Sequence, residues 1–293
     1  MKKVVLILAI LHFGFSMAQS SDEIGFEQGL FSGSNVATIN KTKFVVGFPL
    51  LKTDSYSLSL GGDYQATNIE YVDADVPFTT EMIEHFNMFS GSLKFAHALP
   101  DNWSVVLTGE GQISSNFEND MGGDDVFYNG SLIFRNTDVE NNSIWKIGVI
   151  YDHQYGIDTP IPWVTYSKQV TEKFGYQLGI PEMYATYNVG QSHQFTAFAK
   201  LDGFMGSFND EMEVKVSDFE DTGILRQTSV VSGLGYQFNF LGNFSLNIDA
   251  GFSLYNNMTV EDYDGNEIYD FDYNNGFYGT IGVKYRFNNK LLD

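Results

Sequence analysis

Near its carboxyl end the chain reads Gly-Phe-Tyr-Gly-Thr-Ile-Gly-Val-Lys-Tyr-Arg-Phe over 276–287. Phe277, Gly279, Ile281, Val283, Tyr285 and Phe287 fall on one parity. Tyr278, Thr280, Gly282, Lys284 and Arg286 fall on the other. Successive side chains of a strand point to opposite faces, so this segment has one apolar, aromatic-ended face and one polar, charged face. That is the pattern of a transmembrane β-barrel strand, with lipid on one side and a wet lumen on the other.

The pattern recurs. Over 244–254, Phe244, Leu246, Ile248, Ala250, Phe252 and Leu254 oppose Ser245, Asn247, Asp249, Gly251 and Ser253. Segment 103–113 alternates in the same way, as does 56–65, and weaker versions occupy 89–95, 126–134, 145–151, 176–180, 195–201 and 234–240. Most approach the roughly 9–11 tilted residues that cross a bilayer. Short turns at 52–54, 100–102, 138–142, 171–173, 190–192 and 241–243 alternate with longer links at 72–85, 118–125, 152–162, 208–223 and 261–272. Outer-membrane barrels pair short periplasmic turns with long surface loops in this way. A tight connection near Pro181 and a first strand within 26–32 give an all-β, antiparallel transmembrane β-barrel of 12–14 strands. It forms one domain over 19–293, because dividing a barrel would open its edges. The alternative is a secreted soluble β-sandwich or jelly roll, which also alternates; its strands are usually shorter, about 5–6 residues.

Lys2 and Lys3 precede an apolar run over 4–11, and Ser16-Met17-Ala18 supplies the small residues of a cleavage site. A signal peptide over 1–18 is expected, leaving Gln19 first in the mature chain. The 16% aromatic content suits membrane girdles, and 18% charged residues is low beside the roughly 25% of soluble domains. The net charge of −21 becomes −23 once Lys2 and Lys3 are removed, which argues against nucleic acid. With no cysteine, lipidation at an amino-terminal Cys, disulfides and thiolate metal sites are excluded.

The closing segment 279–287, the Ala18-Gln19 junction and a central block carry a resemblance. That block reads Pro-Ile-Pro-Trp-Val-Thr-Tyr-Ser-Lys over 160–168 and Phe-Gly-Tyr-Gln-Leu-Gly-Ile-Pro over 174–181. The chain resembles outer-membrane β-barrels of the Bacteroidetes type, in a family without an assigned activity. The resemblance implies location and fold and transfers no catalytic residue. One departure is that 288–293 follow Phe287, so the aromatic ending is slightly internal.

If the apolar parity faces lipid, the other parity carries Asp63, Lys94, Glu110, Arg135, Lys146, Lys200, Asp249, Lys284 and Arg286 into the lumen. A cationic interior would favour anionic solutes; the competing reading is that these charges pair with acids and fill a narrow barrel. Trp103, Trp145, Trp163, Tyr285 and Phe287 are the expected membrane-interface aromatics. Acidic loops place Asp262, Asp264 and Glu267 beside Gly265, a weak divalent-cation candidate without full calcium-loop spacing. His153, flanked by Asp152 and near Tyr155 and Asp158, is the conceivable acid–base site. No nucleophile elbow accompanies it, and no enzyme and no cofactor are expected. The expected function is a narrow channel or ligand-binding barrel for small solutes or amphiphiles. A structural component binding a surface or secretion partner through its acidic loops is the alternative, and a hydrolase comes third. The expected partners are outer-membrane lipid and lipopolysaccharide, the barrel-assembly machinery and a small-molecule ligand; a monomer is expected.

Overall fold

A computed structural model describes residues 23–33, 36–72, 76, 78–118, 121–208 and 223–287. The signal peptide, its cleavage site, most of the 208–223 link and the tail after Phe287 lie outside the described residues.

Fifteen strands follow in order: β1 Glu23–Gly33, β2 Ala37–Lys52, β3 Tyr56–Tyr71, β4 His85–Ala98, β5 Trp103–Ser115, β6 Val126–Asp138, β7 Ser143–Tyr151, β8 Ile161–Gln169, β9 Phe174–Ile180, β10 Glu182–Val189, β11 His193–Phe208, β12 Gly223–Phe240, β13 Phe244–Asp262, β14 Glu267–Asp270 and β15 Gly276–Arg286. Each pairs antiparallel with its neighbour, β15 bypasses β14 to pair β13, and β1 closes on β15 from Glu23↔Arg286 to Gly33↔Gly276. Leaving out β14, which pairs only with β13, the ring has fourteen strands. It is a closed, antiparallel all-β barrel. Closure pairs each of the fourteen ring strands on both sides, as backbone polar groups require where no water is available.

The alternation in the sequence becomes inside and outside. Leu60, Leu93, Leu107, Leu132, Ile147, Val164, Leu178, Ile248 and Ile281 are all exposed on the outer face. On the opposite parity, Ser59, Ser92, Gln112, Thr165, Gln177 and Thr186 are buried and polar. An apolar exterior over a polar interior reverses the order of a soluble domain and matches a barrel in lipid. Aromatic contacts border the exterior. At the short-turn end Phe238, Phe240, Phe244, Tyr285, Phe287 and Phe48 follow one another at 4.8–5.9 Å between ring centroids. A second ladder crosses β1–β4 through Phe26, Phe44, Tyr64 and Phe89.

At the long-link end the interior turns apolar. Phe31, Ile39, Ile69, Phe86, Phe204, Phe208, Leu225, Met258, Val260 and Tyr278 gather inside the mouth, joined by Phe78, Ile83, Phe271 and Tyr273 from the links. The long β11 leans across this mouth. Its Ser207 pairs in parallel with Ser115 of β5, although β6–β10 separate the two strands in the ring. Asn116 N donates to Ser207 O at 3.1 Å, Ser114 Oγ to Met205 O at 2.7 Å, and Ser207 Oγ bonds Asp125.

Candidate functional site

The lumen and its crossing contacts form the candidate site. β2 presents Lys41 and Lys43 inward, two residues apart on one face. Lys41 Nζ reaches across to Asp202 Oδ1 at 2.7 Å and Gly203 O at 2.9 Å, both on β11. Lys43 Nζ donates to Gln154 Oε1 at 2.7 Å. Gln154 belongs to the 152–160 link, which folds inward instead of standing out from the surface.

Local chemistry explains that fold. Asp152 Oδ1 accepts from Gln154 N at 2.9 Å and caps a one-turn 3-10 helix, His153–Tyr155. Gly156 ends it at φ 66°, a left-handed conformation that favours glycine. A Cβ there would also lie 2.0 Å from Gln227 O, so the close approach to β12 needs glycine twice over. His153 is held on two sides: its N–H donates to Asn129 Oδ1 at 3.1 Å, its Nδ1 lies 2.6 Å from the same oxygen, and Nε2 lies 3.2 Å from Asp158 Oδ1. Asn129 Nδ2 in turn donates to Glu110 and Gln112. Its oxygen is therefore the acceptor, and His153 Nδ1 carries the hydrogen. Burial pushes the His153 imidazole below its ordinary value, against the pull of Asp158; burial likewise raises the Asp152 carboxyl. The acid facing the imidazole is Asp158, while Asp152 is spent on the cap. Nδ1 donates to Asn129 while Nε2 faces the Asp158 carboxylate, and with its backbone N–H on the same Asn129 oxygen His153 anchors the link.

The other expected lumenal charges occupy distinct settings. Asp63 accepts from Ser90 Oγ at 2.8 Å, Glu110 from Asn129, and Asp249 from Thr280 Oγ1 at 3.5 Å. Lys146 stands 5.9 Å from the Trp163 ring centroid, within electrostatic reach of Arg135, Lys94 and Glu182. Lys200 lies over Phe198 and Tyr278, and Lys284 approaches Glu23 at 3.9 Å; Arg286, at the short-turn end, is half-buried. Sequence reasoning missed Lys41, Lys43, Glu23, Glu182 and Asp202. Glu182 accepts from Gln177 Nε2 at 3.0 Å. The signal was available, since each sits on the polar parity of its strand. With these acids present the interior is mixed in sign, and bases gather around Lys146 while Asp63, Glu27, Glu110 and Asp152 surround Lys43.

One expected girdle residue is corrected. Trp163 is 5% exposed and faces inward, whereas Trp103 and Trp145 are 37% and 45% exposed. Pro162, Val164 and Tyr166 hold the outward parity of β8, and Trp163 falls on the other, where its ring meets Lys146. Tyr285 and Phe287 belong to the short-turn aromatic ladder. In the acidic loop Asp262 is committed to its own turn, accepting from Asn266 N at 2.7 Å and Asn266 Nδ2 at 2.8 Å. Among the described residues no three His, Asp or Glu side chains converge as metal ligands, with Asp264 and Glu267 included.

The chain belongs to the family described as a domain of unknown function, DUF6268, whose model matches residues 41–286. No curated protein matches it. Solved structures similar in fold include the KdgM porin in complex with disordered oligogalacturonate, at 8% identity and TM-score 0.40, covering 91% of this chain and 99% of that one. The NanC porin aligns at 12% identity and TM-score 0.41, covering 90% and 100%. The translocator domain of the autotransporter NalP from Neisseria meningitidis aligns at 10% identity and TM-score 0.37, covering 98% and 95%. At such identities and scores these likenesses add nothing to the barrel established by the strand pairing itself.

Proposed function

We propose that this chain is an integral barrel of the Gram-negative outer membrane, of the Bacteroidetes type, exported by a cleaved signal peptide. It acts as a monomer and without enzymatic chemistry, as a narrow channel or binding barrel for small polar solutes. Lipid and lipopolysaccharide contact its outer face, and the barrel-assembly machinery inserts it. The exposed apolar parity and its aromatic ladders support the membrane setting, since such a surface in water would be a large aggregation-prone patch. The observation that carries the narrow lumen is the pair of crossings from β2, Lys41 to Asp202 and Lys43 to Gln154, at a level where the wall is otherwise polar. Charged side chains fixed across a passage select by field and by size. Large solutes are excluded, and small charged or hydroxylated ones meet both signs of charge.

The test is planar-bilayer conductance of refolded 19–293. Discrete, small steps with an ion preference support a channel. A folded, heat-modifiable protein that stays silent removes the channel and leaves the binding barrel.

A further inference from the structure

On one side the barrel wall is low. β9 and β10 have 7 and 8 residues and turn at Pro181, short of the roughly 9–11 that a span takes. Their neighbour β11 continues past the Glu182↔Lys200 pair to Phe208. The outward face of β11, β12 and β13 therefore stands clear above the β9–β10 tip. On that face Leu201 pairs with Val230 and Val230 with Tyr255, while Thr228 pairs with Asn257 and Arg226 with Thr259. The 152–160 link lies over it, Gly156 O accepting from Thr228 Oγ1 at 2.6 Å. Between link and strands is a cleft of about 440 Å³, within the range of small-ligand sites.

The cleft has two zones. Its floor is Leu201, Val230 and Tyr255, and below it Leu234, Phe252 and Leu254 are exposed on the lipid-facing wall. Its upper part carries Arg226, Asp158 and Glu267. Leu201 is the ninth residue of β11 counted from His193, so the polar zone begins where the hydrocarbon ends. Arg226 gives Nη2 to Glu261 Oε2 at 2.7 Å, and its buried Nε finds no acceptor among the described residues. A guanidinium with donors to spare takes a phosphate. Asp158 and Glu267, open to solvent on the same rim, take a cation. A purely anionic head would meet three carboxylates, and a purely cationic one would leave the guanidinium donors facing it.

We propose that this cleft holds the head of a zwitterionic amphiphile at the outer membrane interface. The phosphate sits on Arg226, the ammonium lies between Asp158 and Glu267, and the acyl chains run down over Leu201, Val230 and Leu234. This rests on the membrane reading above.

The test is native mass spectrometry of refolded 19–293 in detergent with equimolar phosphatidylethanolamine and phosphatidylglycerol, with glycerophosphoethanolamine as competitor. The expected result is one retained phosphatidylethanolamine in preference to phosphatidylglycerol. Arg226→Gln should lower that retention about tenfold, the worth of one charge-assisted bond. Because Arg226→Gln also frees Glu261, Thr159→Trp is the second variant: it fills the cleft from the exposed link and should abolish retention without touching the ion pair. Equal retention of both lipids, retention unchanged in Thr159→Trp, or displacement by the soluble head group alone would each overturn the site. Failure to form a heat-modifiable barrel in lipid would instead overturn the membrane reading.

Discussion

At the residue scale, parity decides what a substitution costs. Leu107 lies on the lipid-facing side of β5, one residue from inward-facing Thr108. Leu107→Arg should destabilise the barrel by about 2–4 kcal/mol, the cost of a cation near the bilayer midplane, measured by reversible urea unfolding in lipid vesicles. Thr108→Arg, facing the wet side, should cost clearly less, and equal costs would contradict the assignment of faces. His153 supplies a pH dependence. Its folded value lies below the ordinary 6.5 because burial disfavours the imidazolium, so the unfolded link binds the proton more readily. The anchoring is fully present above about pH 6.5 and is lost as pH falls below it. Asp152, raised by burial, acts in the opposite sense: its charged form opposes the fold at higher pH, and that penalty is relieved as pH falls through its folded value. Amide exchange over 153–156, corrected for its intrinsic pH dependence, should therefore quicken as pH is lowered from 7.5 to 5.5. In His153→Gln that dependence should vanish.

At the scale of elements, the Lys41–Asp202 crossing joins β11 to the far wall. The Lys41 and Asp202 side chains are 16% and 24% exposed, so removing one partner strands a largely desolvated charge. Asp202→Asn should cost roughly 3 kcal/mol, and Lys41→Met with Asp202→Leu together much less, because a lone buried charge is worse than none. Urea titration of the single and double variants checks this; additive losses would mean that the pair is not coupled. Most of the strands were legible in the sequence; β2, β8 and β10 alternate too weakly to stand out. Leu246, Ile248 and Ala250 against Asn247 and Asp249 define faces without any structure, and the short turns separate the strands. The lean of β11 was not legible. Phe204, Phe208 and Leu225 place apolar groups on the parity expected to be polar, which a period-two reading registers only as a weak strand end. Met258 and Val260 keep the apolar parity of 244–254 and are turned inward by the register shift where Val230 and Val231 pair with Tyr255 and Ser253. Their meaning depends on which distant strand they meet, here β1–β4. Trp163 is the opposite case: its identity suits a girdle, but its place in the alternation of β8 turns it inward.

At the scale of the whole molecule, a polar lower lumen lies beneath an apolar mouth, and the 152–160 link sits between them. Water and ions entering from the short-turn end meet the Lys43–Gln154 and Lys41–Asp202 crossings before the Phe204–Phe271 cluster. The wild-type barrel should then conduct weakly. The link is the part best suited to be removed, since it is joined to the wall by hydrogen bonds donated by Lys43 and Thr228 and by one from the His153 N–H to Asn129, and it contributes no strand to the ring. Replacing 153–158 with a Gly-Ser linker should leave the barrel folded, as judged by heat-modifiable migration, and raise single-channel conductance severalfold. With the link gone, Lys284→Glu combined with Arg286→Glu should move the reversal potential in a salt gradient towards cation selectivity, because both side chains stand on the inward parity at the short-turn end. Conductance unchanged by the link replacement would place the main obstruction in the apolar mouth. Reversal potentials indifferent to the double charge reversal would take Lys284 and Arg286 out of the ion path.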